Sequence, residues 1–392
     1  MIRIAISMLT GDRAKYIGVL FGIFFASLLI TQLLSMFVGI MTRTYAFIQD
    51  TSQADIWVMD PAVEYPEEIA NLPATALQRV RGVEGVQWAV PLYDGTLRTR
   101  LASGRFRGVQ IVGLDDATLT GGPPLLPPEQ LAKLRQTDAV IVDRISAQTI
   151  LRQPVSAEHA RGQLPSGPDR PLQVGDTLLV NDRRAVVVGL TDVARRFFTK
   201  ATVYTTYSRA LTFAPPERNL LSFVLVKASP GQDHQTLARR IQDATGLRAR
   251  TQDQYKNDTV WYYIKHTDII ANIGMMVGLG MIVGFAIAGQ LLYMFTHDNM
   301  KQYAALKAMG ASDVTIVKMV VTQAILCGVV GFGFGLGGAC CLGVLCDLGG
   351  MPFRLVWQTP VITGFCVVLI CTVAAAVSAR EVMKVEAGIV FR

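Results

Sequence analysis

The chain has 392 residues, of which 51% are hydrophobic and only 17% charged, a balance that suits membrane spans joined to a substantial soluble part. The net charge is +7, and most basic residues are scattered among acids over one long loop, which argues against a nucleic-acid footprint and for solvated surface plus membrane-orienting charge. All six cysteines (Cys327, Cys340, Cys341, Cys346, Cys366, Cys371) fall in the last two apolar runs or at their ends; none shows a metal-ligand spacing, and a large segment without cysteine needs no disulfide.

In chain order, a short basic segment at 1–15 (Arg3, Arg13, Lys15) precedes an uncharged run at 16–42. That run is longer than a signal-peptide core of about 7–15 residues and has no small-residue cleavage site, so it reads as a span. Further spans are expected at 269–296, 314–346 and 355–379, each reaching the ~20 residues that cross a bilayer as a helix. A short external loop at 347–354 and a tail at 380–392 complete the chain. Basic residues flank the first span, the loop at 297–313 (Lys301, Lys307, Lys318) and the last span (Arg380, Lys384, Arg392). The positive-inside rule therefore places both termini and that loop in the cytoplasm and the 43–268 segment outside. The fold class is membrane α-helical, with four transmembrane helices and a large extracytoplasmic α+β domain inserted between the first and second.

Within 43–268, strands are expected at Gln53 to Asp60, Val86 to Pro91, Arg105 to Leu114, Ala139 to Asp143 and Phe223 to Lys227. Helices are expected at Pro73 to Arg81, from Asp143 to Ile150, and at Gln232 to Thr245. Asp176 to Val180 and Arg183 to Leu190 flank Asn181-Asp182 as a β-hairpin. Gly121-Gly122-Pro123-Pro124 with Pro127-Pro128 punctuates the chain, and two subdomains are expected. Gln153 to Pro171, rich in Pro, Gly and charge, reads as a surface insertion. Tyr255 to His266 reads as a stalk returning to the membrane. Its Trp261, Tyr262 and Tyr263 suit either an interfacial belt or the domain's own core.

The loop at 297–313 is the most informative stretch. Its 300–309 segment is rich in Ala, Leu, Met and Lys, lacks proline, and ends on Gly310, a C-capping residue. Met300, Tyr303, Ala304 and Lys307 share one helical face. Gly274/Gly278, Gly280/Gly284 and Gly331/Gly335 carry the small-xxx-small spacing of close helix contact.

Catalytic signatures are missing. No Gly-Lys dipeptide occurs, so the chain carries no P-loop, and HExxH, GxSxG and zinc-finger spacings are absent. The glycine-rich Gly331 to Gly338 lies inside a lipid-length apolar run. The runs 16–42, 269–296, 319–346 and 355–379 hold no Asp, Glu, Lys or Arg, whereas ion-coupled carriers place ionisable groups near the midplane. The energy source is therefore expected on another subunit.

Span, large outer domain and three clustered spans, in that order, resemble the MacB/FtsX-like family of ABC transporter permeases. Lys301-Gln302-Tyr303-Ala304-Ala305-Leu306-Lys307-Ala308-Met309-Gly310-Ala311-Ser312 is similar to that family's cytoplasmic signature. Val385 to Arg392 is similar to its closing motif, and Val174 to Val180 with Val186 to Leu190 to its small β subdomain. Gly11-Asp12-Arg13-Ala14-Lys15-Tyr16 most resembles the DevC-type branch, whose ATPase is a separate polypeptide. Gln302 and Ala387 replace the family's usual acid and proline, which puts a salt bridge at the first position and the tail's shape in question.

The resemblance implies no catalytic residue and no cofactor on this chain, with ATP and Mg held by two cytoplasmic ATPase subunits. Met300, Lys301, Tyr303, Ala304, Leu306, Lys307, Met309 and Gly310 would form a coupling helix docked on each ATPase. It further implies a homodimer in the bacterial inner membrane. The expected role is an exporter permease that moves its periplasmic domain, with a membrane-fusion adaptor and outer-membrane channel. An FtsX-like mechanotransmitter activating a periplasmic partner such as a cell-wall hydrolase, or a lipoprotein-extracting permease, shares the architecture.

Overall fold

The structure is a computed structural model and describes residues 2–11, 13–51, 53–68, 70–154, 169–215 and 221–383. Asp12, His159, most of the Pro/Gly-rich insertion and the closing motif at 385–392 lie outside the described residues. The chain forms two compact units, 42–266 and the remainder.

In chain order, α1 (Ile2–Gly11), α2 (Arg13–Thr44) and α3 (Ala46–Asp50) lead into β1 (Ile56–Met59), α4 (Thr75–Arg81), β2 (Val86–Arg100) and β3 (Phe106–Leu114). Next come α5 (Pro128–Ala132), β4 (Ala139–Asp143), α6 (Arg144–Gln148), β5 (Gln153–Pro154) and β6 (Asp169–Arg170). They are followed by β7 (Thr177–Val180), β8 (Arg183–Thr191), β9 (Ala201–Thr206), α7 (Tyr207–Phe213) and β10 (Phe223–Ala228). Then α8 (His234–Thr245), β11 (Arg248–Thr251) and α9 (Gln252–His266) precede α10 (Ile269–Asp298), α11 (Met300–Ala308), α12 (Asp313–Leu348) and α13 (Gln358–Met383).

The outer domain is built on one nine-stranded sheet, ordered β11-β1-β10-β2-β3-β9-β4-β8-β7. Its first four strands are all antiparallel and come from two β-α-β units, β1-α4-β2 and β10-α8-β11, the split topology of ferredoxin-like folds. The other five strands, inserted in sequence between β2 and β10, form with β2 a barrel ordered β2-β3-β9-β4-β8-β7. It closes because β2, after pairing with β3, also pairs with β7 (Thr99 with Val180, Arg100 with Leu179). Leu97, Val109, Ile111, Val142, Leu178 and Val187 fill its interior. The ferredoxin-like half and the barrel thus share β2, a 15-residue strand.

Local chemistry explains the elements. Asn181 and Asp182 adopt φ of 47° and 62°, the left-handed pair a type I′ hairpin turn requires. Asp233 caps α8 by accepting from Thr236 N at 2.8 Å, and Gly246 ends that helix at φ 69°. Trp57 on β1 is fully buried against the rings of Phe47, Phe223 and Tyr255. The aromatic run on α9 divides: Tyr263 is buried, Tyr262 stacks on Tyr65, and Trp261 is 68% exposed.

In the other unit, α2, α10, α12 and α13 are each long and apolar enough to cross a membrane. Their packing runs through glycines, because removing a side chain lets backbones approach. A Cβ at Gly284 would overlap Ala26, one at Gly331 would lie 2.8 Å from Ile23 Cγ2, and one at Gly335 would lie 2.6 Å from Ser27. Gly280 is also buried, 3.6 Å from Ile30 by the same measure. All four face α2. Gly274 and Gly278 do not pack within the chain: an added Cβ at either meets nothing within 4 Å. The small-xxx-small spacing there repeats on a face of α10 that also carries exposed Met275 and Leu279.

Candidate functional site

The bend between α10 and α12 is a bonded structure rather than a slack connection. α11 closes with a Schellman arrangement: Gly310 N donates to Lys307 O and Ala311 N to Leu306 O, both at 3.0 Å, with Gly310 at φ 94°. Lys307 Nζ pairs with Asp313 at 2.8 Å, tying the loop helix to the first turn of α12. Lys15 pairs with Asp298, linking the start of α2 to the end of α10.

The expected docking residues separate into two sets. Tyr303 and Ala304 are fully buried, joining Leu9, Phe295, Ile316, Met319 and Val320 in the helical core. The Tyr303 hydroxyl donates to Gln323 Oε1 at 3.1 Å, and Gln323 is itself fully buried. These two residues are therefore packing groups, a correction to their reading as surface anchors. The apolar face that periodicity picks out on α11 is satisfied by the chain's own helices. Met300, Leu306 and Lys307 are half-buried, and Lys301, Met309 and Gly310 are exposed, Met309 at 75%. Val314, on the first turn of α12, adds an exposed apolar side chain that the sequence reading left out.

A second constellation, in the outer domain, went unseen. Asp94 on β2 is fully buried, and its carboxylate accepts from Gln110 Nε2 at 2.8 Å and from Arg196 Nη1 at 3.4 Å. The Arg196 guanidinium lies 3.9 Å from the ring centroid of Phe47 on α3, a cation–π contact. Asp50, also on α3, accepts from Ala194 N at 3.0 Å, and Phe197 N donates to Arg43 O at 3.1 Å. The 193–198 segment thus binds the chain entering the domain. The chain leaving it is held as well: Gln252 Nε2 donates to Ile48 O at 2.9 Å and the Tyr263 hydroxyl to Glu67 at 3.3 Å. Burial pushes the Asp94, Glu67 and Asp50 carboxyls above their ordinary range, with Arg196 pulling each back.

Among the described residues no group of His, Cys, Asp and Glu is placed to hold a metal. Both constellations are structural ties. One fixes a short helix to the spans, and the other fixes both connecting segments of the outer domain to its sheet.

Four apolar helices with a large α+β domain inserted after the first define an integral membrane protein with an extracytoplasmic working part. Residues 17–244 match the MacB-like periplasmic core domain, and residues 274–387 match the FtsX-like permease C-terminal domain. The chain belongs to the MacB/FtsX-like permease family. Among solved structures it is similar to the periplasmic region of MacB from Actinobacillus actinomycetemcomitans, at 13% identity over 56% of this chain and 96% of that one, with a TM-score of 0.34. It is also similar to the extracellular domain of the noncanonic ABC-type transporter YknZ from Gram-positive bacteria, at 13% identity over 50% of this chain and 98% of that one, with a TM-score of 0.30. No curated protein matches.

Proposed function

We propose that this chain is the permease subunit of an ABC exporter, moved by ATP hydrolysis on a separate cytoplasmic ATPase. The observation that carries the reading is the anchoring of α11. Its inner face is locked by buried Tyr303 and Gln323, while Lys301, Met309 and Val314 stay exposed. An exposed apolar side chain beside a cation suits docking in a groove on a partner. A push on that outer rim reaches the spans because the helix beneath it cannot slide.

In this reading two copies pair in the bacterial inner membrane with both termini cytoplasmic, and two ATPase subunits hold ATP and Mg below them. The outer domains, moving with the spans, expel substrate into a periplasmic adaptor and an outer-membrane channel. Substrate does not thread the spans. Four helices with long apolar stretches, packed through glycine, agree with this.

The test separates the two faces of α11. Met309→Asp combined with Lys301→Glu leaves the permease folded and lowers co-purification of the co-expressed ATPase by about tenfold or more. Tyr303→Asp buries a charge in the helical core and reduces the amount of folded permease itself. Retention of the ATPase at parental levels by the Met309/Lys301 variant would refute the docking assignment.

A further inference from the structure

The outer face of the barrel carries a row of guanidinium groups that neither the packing nor the transmission path uses. Register sets it out. Arg100 on β2 lies opposite Phe106 on β3 and, on its other side, opposite Leu179 on β7; Leu179 in turn lies opposite Arg184 on β8. Paired residues point to the same side of a sheet, so Phe106, Arg100, Leu179 and Arg184 form one outward row. At about 4.8 Å per strand the row is roughly 14 Å wide. Arg98, two residues along β2, shares this face, with its guanidinium 3.8 Å from the centroid of the Phe106 ring. Arg107 and Arg183 stand exposed at the adjoining strand ends.

Among the described residues, none of these five arginines has a carboxylate within ion-pairing distance. The neighbouring acids are engaged elsewhere: Asp169 with Arg105 at 2.8 Å and Asp176 with Arg170 at 2.6 Å. Asp182, in the β7–β8 turn, is the one acid in that turn. Three like charges on that face, Arg98, Arg100 and Arg184, repel one another; Arg107 and Arg183 lie opposite Thr99 and Val180, on the other side of the strands.

We propose that this arginine row is a docking surface for an acidic protein partner, one that presents several carboxylates to the barrel. Charge complementarity sets the sign, and composition sets the class. Three cations of the face are arginines, whose planar fork pairs two-to-two with carboxylates; Lys200, which donates to Thr96 Oγ1 at 3.1 Å, adds a fourth charge beside them. An exposed aromatic, Phe106 at 46%, and a half-buried leucine are interleaved with them. Arginine beside an exposed aromatic is the composition of protein-interface hot spots. The Arg98–Phe106 stack holds one guanidinium in place before binding, which lowers the ordering cost. The proposal rests on the reading of the barrel as extracytoplasmic. It does not depend on ATPase docking, which is tested separately at the α10–α12 bend.

The experiment uses the full chain in nanodiscs of neutral lipid and three probes: a fluorescent decaglutamate peptide, an inorganic polyphosphate of similar charge, and vesicles containing phosphatidylglycerol. The variant is Arg98→Glu/Arg100→Glu/Arg184→Glu. The control, Lys133→Glu/Arg239→Glu/Lys265→Glu, makes the same change in net charge at exposed positions off the row. The expected result is peptide binding that weakens with salt, falls by at least about tenfold in the row variant and stays within about twofold in the control. Equal losses in both variants would overturn the proposal by showing a net-charge effect. Row-dependent binding of polyphosphate or vesicles without binding of the peptide would overturn it in favour of a phosphate-bearing ligand. Retained peptide binding by the row variant would overturn it outright.

Discussion

Gly284 and Gly274 lie on the same helix, yet a single methyl group should act oppositely at the two. A Cβ at Gly284 would overlap Ala26, whereas one at Gly274 meets open space. Gly284→Ala is expected to cost about 1–3 kcal/mol through forced separation of α10 from α2. Gly274→Ala should be neutral or slightly stabilising, since alanine is the better helix former. Unfolding of the detergent-solubilised chain by SDS titration reads both. The buried ion network gives a second residue-scale expectation. Arg196→Ala leaves the fully buried Asp94 without its cation, at a cost of about 3–5 kcal/mol. Combining Arg196→Met with Asp94→Asn should recover most of that loss, because no charge is then stranded. An equal loss in the double variant would show that packing on Phe47, rather than charge, holds the segment. Glu67 supplies the pH dependence. Burial holds its carboxyl above the ordinary 4.5, against the pull of Arg196 and with Asp94 adding to the rise. Between the unfolded and folded values the native domain keeps a proton that the unfolded chain has released. Its contribution is most favourable below pH 4.5 and is lost as pH rises through the folded value. Glu67→Gln, which can still accept from Tyr263, should raise the apparent Tm near pH 7 by about 2 °C and converge with the parent near pH 4.

At the scale of elements, what could be read in advance was what is local. The spans, α4, α8 and the Asn181-Asp182 hairpin each carry their signal within their own residues, as length, period, cap or turn chemistry. β9 and β11 do not. β9 is fully buried in mid-sheet, parallel to β3 on one side and antiparallel to β4 on the other, and that position comes from topology. β11 reads Arg-Ala-Arg-Thr, which looks like solvated surface until Arg248 and Arg250 are seen sharing Asp258 at 2.8 and 2.9 Å. The bend at 297–313 was legible as a helix with a glycine stop, but periodicity cannot say whether an apolar face meets a partner or the chain's own core. The Asp94–Arg196 pair joins residues 102 positions apart, and no window reaches that far. The insertion expected at Gln153 to Pro171 can be tested at this scale. Its described ends form a small antiparallel pair, Gln153 with Arg170 and Pro154 with Asp169, which a two-residue Asn-Gly turn can close. Replacing residues 155–168 by that turn should leave the outer domain folded, with the apparent Tm changed by no more than a few degrees. Loss of the folded chain would show that the replaced residues belong to the core.

For the molecule as a whole, the question is whether the outer domain unfolds as one body or as two lobes joined by a strand. β2 bears on this directly, because it is at once the fourth strand of the ferredoxin-like half and a barrel strand, paired with β10 along its first part and with β3 along its second. No loop separates the two stretches, and the Asp94 network sits where they meet, with Ser222 Oγ donating to Asp94 O and Gln110 to its carboxylate. Melting one lobe would therefore unpair part of the strand that the other needs. The connecting segments α3 and α9 are also held together by the Gln252–Ile48 bond, so the ends of the domain lie close and an excised domain need not fray. Residues 43–266, expressed without the spans and without detergent, should fold and unfold in a single cooperative transition. Calorimetric and van't Hoff enthalpies should agree, and the absence of cysteine from this segment makes the transition indifferent to reductant. Two resolved transitions would mean that β2 yields between the ferredoxin-like half and the barrel.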